Sequence, residues 1–197
     1  MRILLTVQGD GRGHMTQAIA SSQALERHGH EVVGVTIGTN SSRSIPDFFW
    51  QAFSDRLTPL ASPGFSFRGG RAVATVGTLR QLVMGSGMYW QSIRTLGTLI
   101  EKLQPDLILN FLEPLVGIFN LLRPHRVAVI SVGHHFMVDH PAFVQSRKFI
   151  VQQWAMRRYV RLSGAGSTKL ALSFYPAESL PAQRLFVCPP LLRQELF

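Results

Sequence analysis

The sequence predicts an α/β fold, a Rossmann-like, doubly wound and mainly parallel sheet with helices on both faces. Two observations carry that expectation. Short apolar runs alternate with segments of helical period along the whole chain, and a turn containing three glycines joins the first run directly to the first helix. Alternation of this kind implies right-handed crossovers between parallel strands, and such sheets bind ligands at the carboxyl ends of their strands.

The elements follow in order. Residues 2–7 form the first strand, 14–27 the first helix with Gly29 as its stop, and 31–37 the second strand. Ser44-Ile45-Pro46-Asp47 opens a short helix through Phe53, with proline in its first turn and aspartate at its positive end. Residues 57–61 read as a strand. Residues 62–70 read as a Gly/Ser/Pro-rich loop carrying Phe65, Phe67 and Arg68, and 73–84 as a helix that Gly85-Ser86-Gly87 ends. Tyr89, Ile93, Leu96, Ile100 and Leu103 share one face of the next helix, a core stripe that Pro105 terminates. Strands at 106–110, 127–132, 169–174 and 185–188 complete the sheet, with helices near 115–122 and over 141–162. In the last of these, Val144, Val151, Ala155 and Leu162 form the stripe assigned to the core.

A chain of 197 residues with 46% hydrophobic content suits one globular domain; at that size about 70% of the unfolded surface is buried. The single Cys188 cannot form an internal disulfide, which favours a reducing compartment, and its apolar strand predicts a buried, inert thiol. Asp10 and Arg12 interrupt the N-terminal apolar stretch too early for a signal peptide. The apolar region 107–122 is too short and too polar to span a bilayer. The formal net charge of +9 favours anionic partners: phosphorylated substrates, anionic lipid or nucleic acid.

Chemistry concentrates in the turn Gly9-Asp10-Gly11-Arg12-Gly13-His14. Glycines admit φ > 0 and close approach of backbone to ligand, and the N–H groups and positive dipole end of the following helix attract an anion. His14 falls in the first helical turn, where a buried side chain is not expected and where the dipole lowers the imidazole pKa. A dinucleotide site is disfavoured, because the spacing is Gly-x-Gly-x-Gly and no acid closes the second strand to hold a ribose. Two further loops carry polar residues to the same sheet edge: Glu113 after the strand at 106–110, and His134-His135 after the strand at 127–132. Glu113 also suits the cap of the helix that begins at Pro114. A zinc site of His134, His135 and His140 lacks ligand spacing, and Ser163-Gly164-Ala165-Gly166-Ser167 is no nucleophile elbow. On the helix at 141–162, the residues Phe143, Arg147, Ile150, Trp154, Arg158 and Arg161 fall within about 80° of one another at helical period, an aromatic and basic face suited to an anionic headgroup layer.

These motifs resemble the N-terminal domain of the GT-B glycosyltransferases, in particular the group similar to the lipid-linked N-acetylglucosaminyltransferase of peptidoglycan synthesis. The resemblance rests on Gly11-Arg12-Gly13-His14, Gly29-His30-Glu31-Val32, Asn110-Phe111-Leu112-Glu113-Pro114 with Leu112 inserted, Val132-Gly133-His134-His135, and the closing strands Leu172-Ser173-Phe174 and Val187-Cys188-Pro189-Pro190. It implies one half of a GT-B fold: residues 1–190 as an acceptor-binding domain and 191–197 as the start of a linker to a donor-binding domain. It further implies a metal-independent, inverting transferase of hexosyl type, without a cofactor, inactive as this chain alone. The donor would be a UDP-linked nucleotide sugar and the acceptor lipid-linked or part of the cell envelope. The expected location is cytoplasmic and peripheral on the inner face of the plasma membrane, with nucleic acid not the expected partner. Glycosyl transfer needs a base for the acceptor hydroxyl and donors for the departing diphosphate. His14 is the first candidate base and Glu113 the second; Gly9, Gly11, Arg12, Gly13, His134 and His135 are the candidate substrate contacts, and Arg147, Trp154, Arg158 and Arg161 the candidate lipid contacts. A non-catalytic module for an anionic membrane surface, or an RNA-binding domain, is the alternative.

Overall fold

The computed structural model describes residues 1–40, 44–64, 67–68, 72–73, 85–123, 125–143 and 150–190. Its main sheet is built from β1 (Arg2–Gln8), β2 (Glu31–Thr39), β3 (Leu57–Ala61), β6 (Leu107–Phe111), β7 (Ala128–Val132), β8 (Thr168–Leu172) and β9 (Leu185–Cys188). The order is β3-β2-β1-β6-β7-β8-β9, with every neighbouring pair parallel. The expected α/β doubly wound sheet is therefore present, and strand order reverses between β1 and β6, where such folds open a ligand crevice.

Side-chain alternation assigns the two faces. Ile3, Leu5 and Val7 pack with Met15, Ala18 and Ile19 of α1 (Arg12–Arg27) and with Phe49 and Phe53 of α2 (Asp47–Phe53). Leu4 and Ile108 face the other way, onto Ile93, Leu96 and Ile100 of α3 (Ser86–Leu103) and Leu115 and Phe119 of α4 (Pro114–Leu122). The stripe read from Tyr89 to Leu103 is thus core. The C-terminal helix α5, described over Ile150–Ser163, covers a third cluster of Leu112, Phe136, Val160, Ala171 and Leu185.

Several elements depart from the sequence expectation. α1 begins at Arg12, with Gly11 as N-cap, so His14 is its third residue. Pro46 is the N-cap of α2, one position outside the first turn. Within the expected 62–70 loop and at Val73 stands a small antiparallel pair, β4 (Phe67–Arg68) and β5 (Ala72–Val73); the rest of the expected helix, 74–84, lies outside the described residues. Ser86 and Gly87 open α3, with Gly85 as its N-cap, where first-turn amides have no intrahelical partner and a glycine forfeits little. β8 stops at Leu172, where the Tyr175 amide donates to Ser173 Oγ at 3.1 Å, and Phe174 is left 82% exposed. Cys188 ends the edge strand β9 and is half-buried, since a strand with one neighbour is incompletely covered.

The largest difference lies between residues 133 and 163. His134–Asp139 is a 3-10 turn and Pro141 a turn residue, so Phe143 precedes the helix. Val144 and Arg147 lie outside the described residues. The buried positions of α5 are Val160 and Ser163, with Met156 and Tyr159 beside them, whereas Val151 is 63% exposed. The helix turns that face inward because it packs on α4 as well as on the third cluster. A Cβ built on Gly117 of α4 would stand 1.7 Å from the Leu162 carbonyl oxygen.

One prediction follows from that contact. Gly117→Ala must part the two helices or distort one, costing about 1–3 kcal/mol as over-packing does. Urea unfolding should show a lowered midpoint with an unchanged m-value.

Candidate active site

The turn after β1 meets the loop after β7 at the sheet edge. His14 is 91% buried by its 9% exposure, and its ring lies parallel to that of His134, within 4°, at 6.2 Å between centroids. His135 approaches His14 at 5.4 Å and His134 at 3.8 Å. Phe136, buried against Gly164 and the third core cluster, pins the turn that carries the pair. A cavity of about 170 Å³ opens beside them, lined by Gly13, His14, Gln17, His134, Phe174 and Pro190 among others. The sequence-predicted His14, Gly13 and His134 are thus brought to one cavity, with His135 behind them.

Burial corrects the expectation for His14. Desolvation first, and the His134 charge second, hold its pKa down to about 4. Desolvation, with His134 and His14 next, pushes His135 down to about 3. The three imidazoles are neutral at pH 7, able to accept protons. The glycines are also explained differently from the expectation, since none of Gly9, Gly11 and Gly13 takes a left-handed φ. Gly9 is required by close approach: a Cβ there would lie 2.3 Å from the Gly38 carbonyl oxygen. A Cβ on Gly13 would meet nothing within 4 Å, so this residue leaves space at the cavity wall. Gly11 caps α1 with no side-chain hydrogen bond, and no acid occupies the first turn. The first-turn N–H groups therefore face the loop without a competing carboxylate. Arg12 is exposed at the same turn.

Glu113 belongs to a separate cluster. Its Oε1 accepts from the Leu115 amide at 3.0 Å, capping α4, and from the Ser62 hydroxyl. Oε2 is buried without a hydrogen-bond partner, packed so closely on Gly38 that a Cβ there would overlap it. Burial, with a contribution from Asp10, raises the carboxyl pKa to about 8. Asp10 accepts from Asn40, and its own amide donates to Gln8 Oε1 at 3.0 Å. Tyr159 of α5, whose hydroxyl burial pushes up strongly, closes the group. Sequence reasoning placed Glu113 on the edge shared with His14. It does stand at that edge, on Gly38 near the end of β2 and on Ser62 just after β3, with Asn110 and Ile108 of β6 leading to it on the α3 and α4 face. Ser62, Gln8 and Tyr159 escaped notice because no motif marks them.

The exposed residues of α5 include Ile150, Val151, Trp154 and Arg158, with the Arg158 guanidinium over the Trp154 ring at 5.4 Å. Arg161 differs from its expected role: it is paired with Asp139 at 2.8 Å and is not a free cation on this face.

Comparisons with known proteins place the family and the fold. The family model described as glycosyl transferase family 1 matches residues 1–197. The chain belongs to this family, and its fold is the α/β half of a GT-B glycosyltransferase. Among solved structures it is similar to Phytolacca americana UGT2 complexed with UDP-2fluoro-glucose and pterostilbene, at 12% identity and TM-score 0.56, over 98% of this chain and 55% of that one. Arabidopsis thaliana UGT89C1 complexed with quercetin gives 16% identity and TM-score 0.55 over 98% and 50%. MurG of Acinetobacter baumannii gives 14% identity and TM-score 0.47 over 89% and 43%. The chain thus spans about half the length of these structures. No curated protein matches it.

Stability should register the buried groups. His14 and His135, lowered from 6.5 to about 4 and about 3, stabilise above pH 6.5 and lose that contribution as pH falls. Glu113, raised from 4.5 to about 8, stabilises below 4.5 and loses its contribution as pH rises through about 8. Two imidazoles outweigh one carboxyl, so unfolding free energy should climb from about pH 4.5 to 6.5 and decline from 6.5 to about 8. Glu113→Gln, which keeps the cap, should abolish the decline, as measured by urea unfolding across that range.

Proposed function

We propose that this chain is the acceptor-binding half of an inverting, metal-independent GT-B glycosyltransferase, with His14 as its general base. The observation that carries the reading is the buried, neutral His14 imidazole on the wall of the sheet-edge cavity. In the reaction the acceptor hydroxyl oxygen attacks the anomeric carbon of a nucleotide sugar, the bond from that carbon to the diphosphate breaks, and the diphosphate departs with the electron pair. The hydroxyl proton passes to the His14 ring. The unfilled N–H groups of the first turn of α1, at Arg12, Gly13 and His14, are suited to the charge of the departing diphosphate. The donor is UDP-linked, as the family resemblance implies and as the UDP sugar in the UGT2 complex supports. Glu113, sealed beneath Gly38, serves as a protonated clamp between Ser62 and α4, with its role as base held in reserve.

The linker after residue 190 and the donor-binding domain are part of the same reading, with coverage of about half of the matched structures in support. Residues 1–197 alone should then turn over sugar nucleotide negligibly. In the transferase that contains this domain, His14→Ala should lower turnover by about two to four orders of magnitude, measured as transfer of radiolabelled sugar. Nearly full activity would remove His14 from the chemistry.

The acceptor is lipid-linked on this reading, and the domain works at the cytoplasmic face of an anionic membrane. The exposed Ile150, Val151 and Trp154 beside Arg158, on a chain of net charge +9, favour an interfacial contact. Among the described residues no helix is long and apolar enough to cross a membrane. Trp154→Ala with Arg158→Glu should reduce flotation with phosphatidylglycerol liposomes, each basic contact contributing about 1 kcal/mol. Equal flotation of variant and wild type, with tight RNA binding, would favour the alternative partner.

A further inference from the structure

His134 lines the cavity with His135 behind it, and neither has a task in the transfer step above. The position of the pair suggests one. His134 is exposed while the ring it parallels, His14, is almost entirely buried. The ring set parallel to the buried His14 thus itself faces water. His135 packs on His134 with centroids 3.8 Å apart, and its Nδ1 is buried without a hydrogen-bond partner. Its ring is therefore held by packing, and it backs His134. The turn is fixed at its far end as well: Phe136 is 2% exposed, and His140 Nε2 lies 2.8 Å from the Glu178 carbonyl oxygen.

We propose that His134 is a positioning residue for the transfer reaction, a flat cover that His135 holds over His14, keeping bulk water off that imidazole and fixing its plane toward the acceptor. The inference rests on the reading of His14 as the base. Among the described residues the other walls carry nothing that titrates: the ends of β6, β8 and β9 present Phe111, Phe174 and Pro190 to the cavity. Arg12, on the helix of His14 itself, is exposed. His134 and His135 are therefore the titratable groups that face His14 from another element. Desolvation lowers the pKa of both, of His134 at the surface and of His135 behind it. Exclusion of water is the larger effect on His14 and repulsion by a charged His134 the smaller. A cover of the same shape without charge should consequently do most of the work.

The test is the titration of the His14 ring in residues 1–197, followed by two-dimensional NMR of histidine labelled with nitrogen-15. No donor or acceptor is needed, so the result is separate from the transferase reading. A failed transfer assay with the expected titration would sink that reading and leave the cover standing. In the wild type the His14 midpoint should lie near the value of about 4. His134→Ala should raise it by about one unit or more toward the ordinary 6.5, a tenfold gain in proton affinity, while His134→Phe should keep it low. His135→Ala should raise it by a smaller step, by loosening the cover. His134→Ser provides a second uncovered variant if the alanine variant does not fold. An unchanged midpoint in the uncovered variants would overturn the proposal, and so would an equal rise in His134→Phe, because repulsion would then account for the whole effect.

Discussion

The side chain of Asn110 holds the sheet edge together. It is fully buried in the middle of the sheet, and each end of its amide has two partners. Oδ1 accepts from Thr6 Oγ of β1 at 3.1 Å and from the Glu113 amide at 2.8 Å. Nδ2 donates to Ser131 Oγ of β7 at 3.2 Å and to the Ser163 carbonyl at the end of α5 at 2.8 Å. One residue thus joins three strands, the turn into α4 and the last turn of α5. A buried amide with all its partners specifies a unique arrangement, whereas the same amide with one partner lost leaves a desolvated group at a cost of about 1–3 kcal/mol.

From that knot the chain must turn sharply to reach α4. Leu112 makes the turn with φ of 59°, a left-handed conformation unusual for a side chain of its size. Its side chain is 3% exposed in the third core cluster, so burial offsets the backbone strain. The residue that interrupts the family-like Asn-Phe-Glu-Pro run is therefore absorbed locally, and Glu113 still caps α4.

The same alternation that fixes the core also separates the two groups of titratable residues. Imidazoles gather on the α1 side beside an open cavity, and a carboxyl with its hydroxyl partners is sealed on the α4 and α5 side. Burial acts on both with opposite outcome: it strips the proton from the bases and leaves it on the acid, because in each case the charged form is the one disfavoured. Both groups are then neutral near pH 7, which spares the interior an unpaired charge and leaves only the imidazoles in contact with the cavity. The positive charge that remains is spread over the surface, where Arg158 on Trp154 is exposed and Arg157 and Arg161 converge on Asp139.

The sequence by itself determined the α/β class, the strand runs, the core stripe of α3 and the gathering of His14, His134 and His135 at one edge. These depend on periodicity and on glycine, proline and capping residues, which act over a few positions. Glu113 as a helix cap was legible for the same reason. The burial of His14 was not, because the residues around it, His134 and His135 among them, come from distant parts of the chain. Neither was the true role of Gly9, set by the Gly38 carbonyl of the neighbouring strand. The inward face of α5 could not be read from its own pattern, since its partner is another helix and the contact is set by the missing side chain at Gly117. Whether Arg161 is free was decided by Asp139, 22 residues earlier. In each case the deciding neighbour is distant in sequence, and only the packed structure brings it into contact.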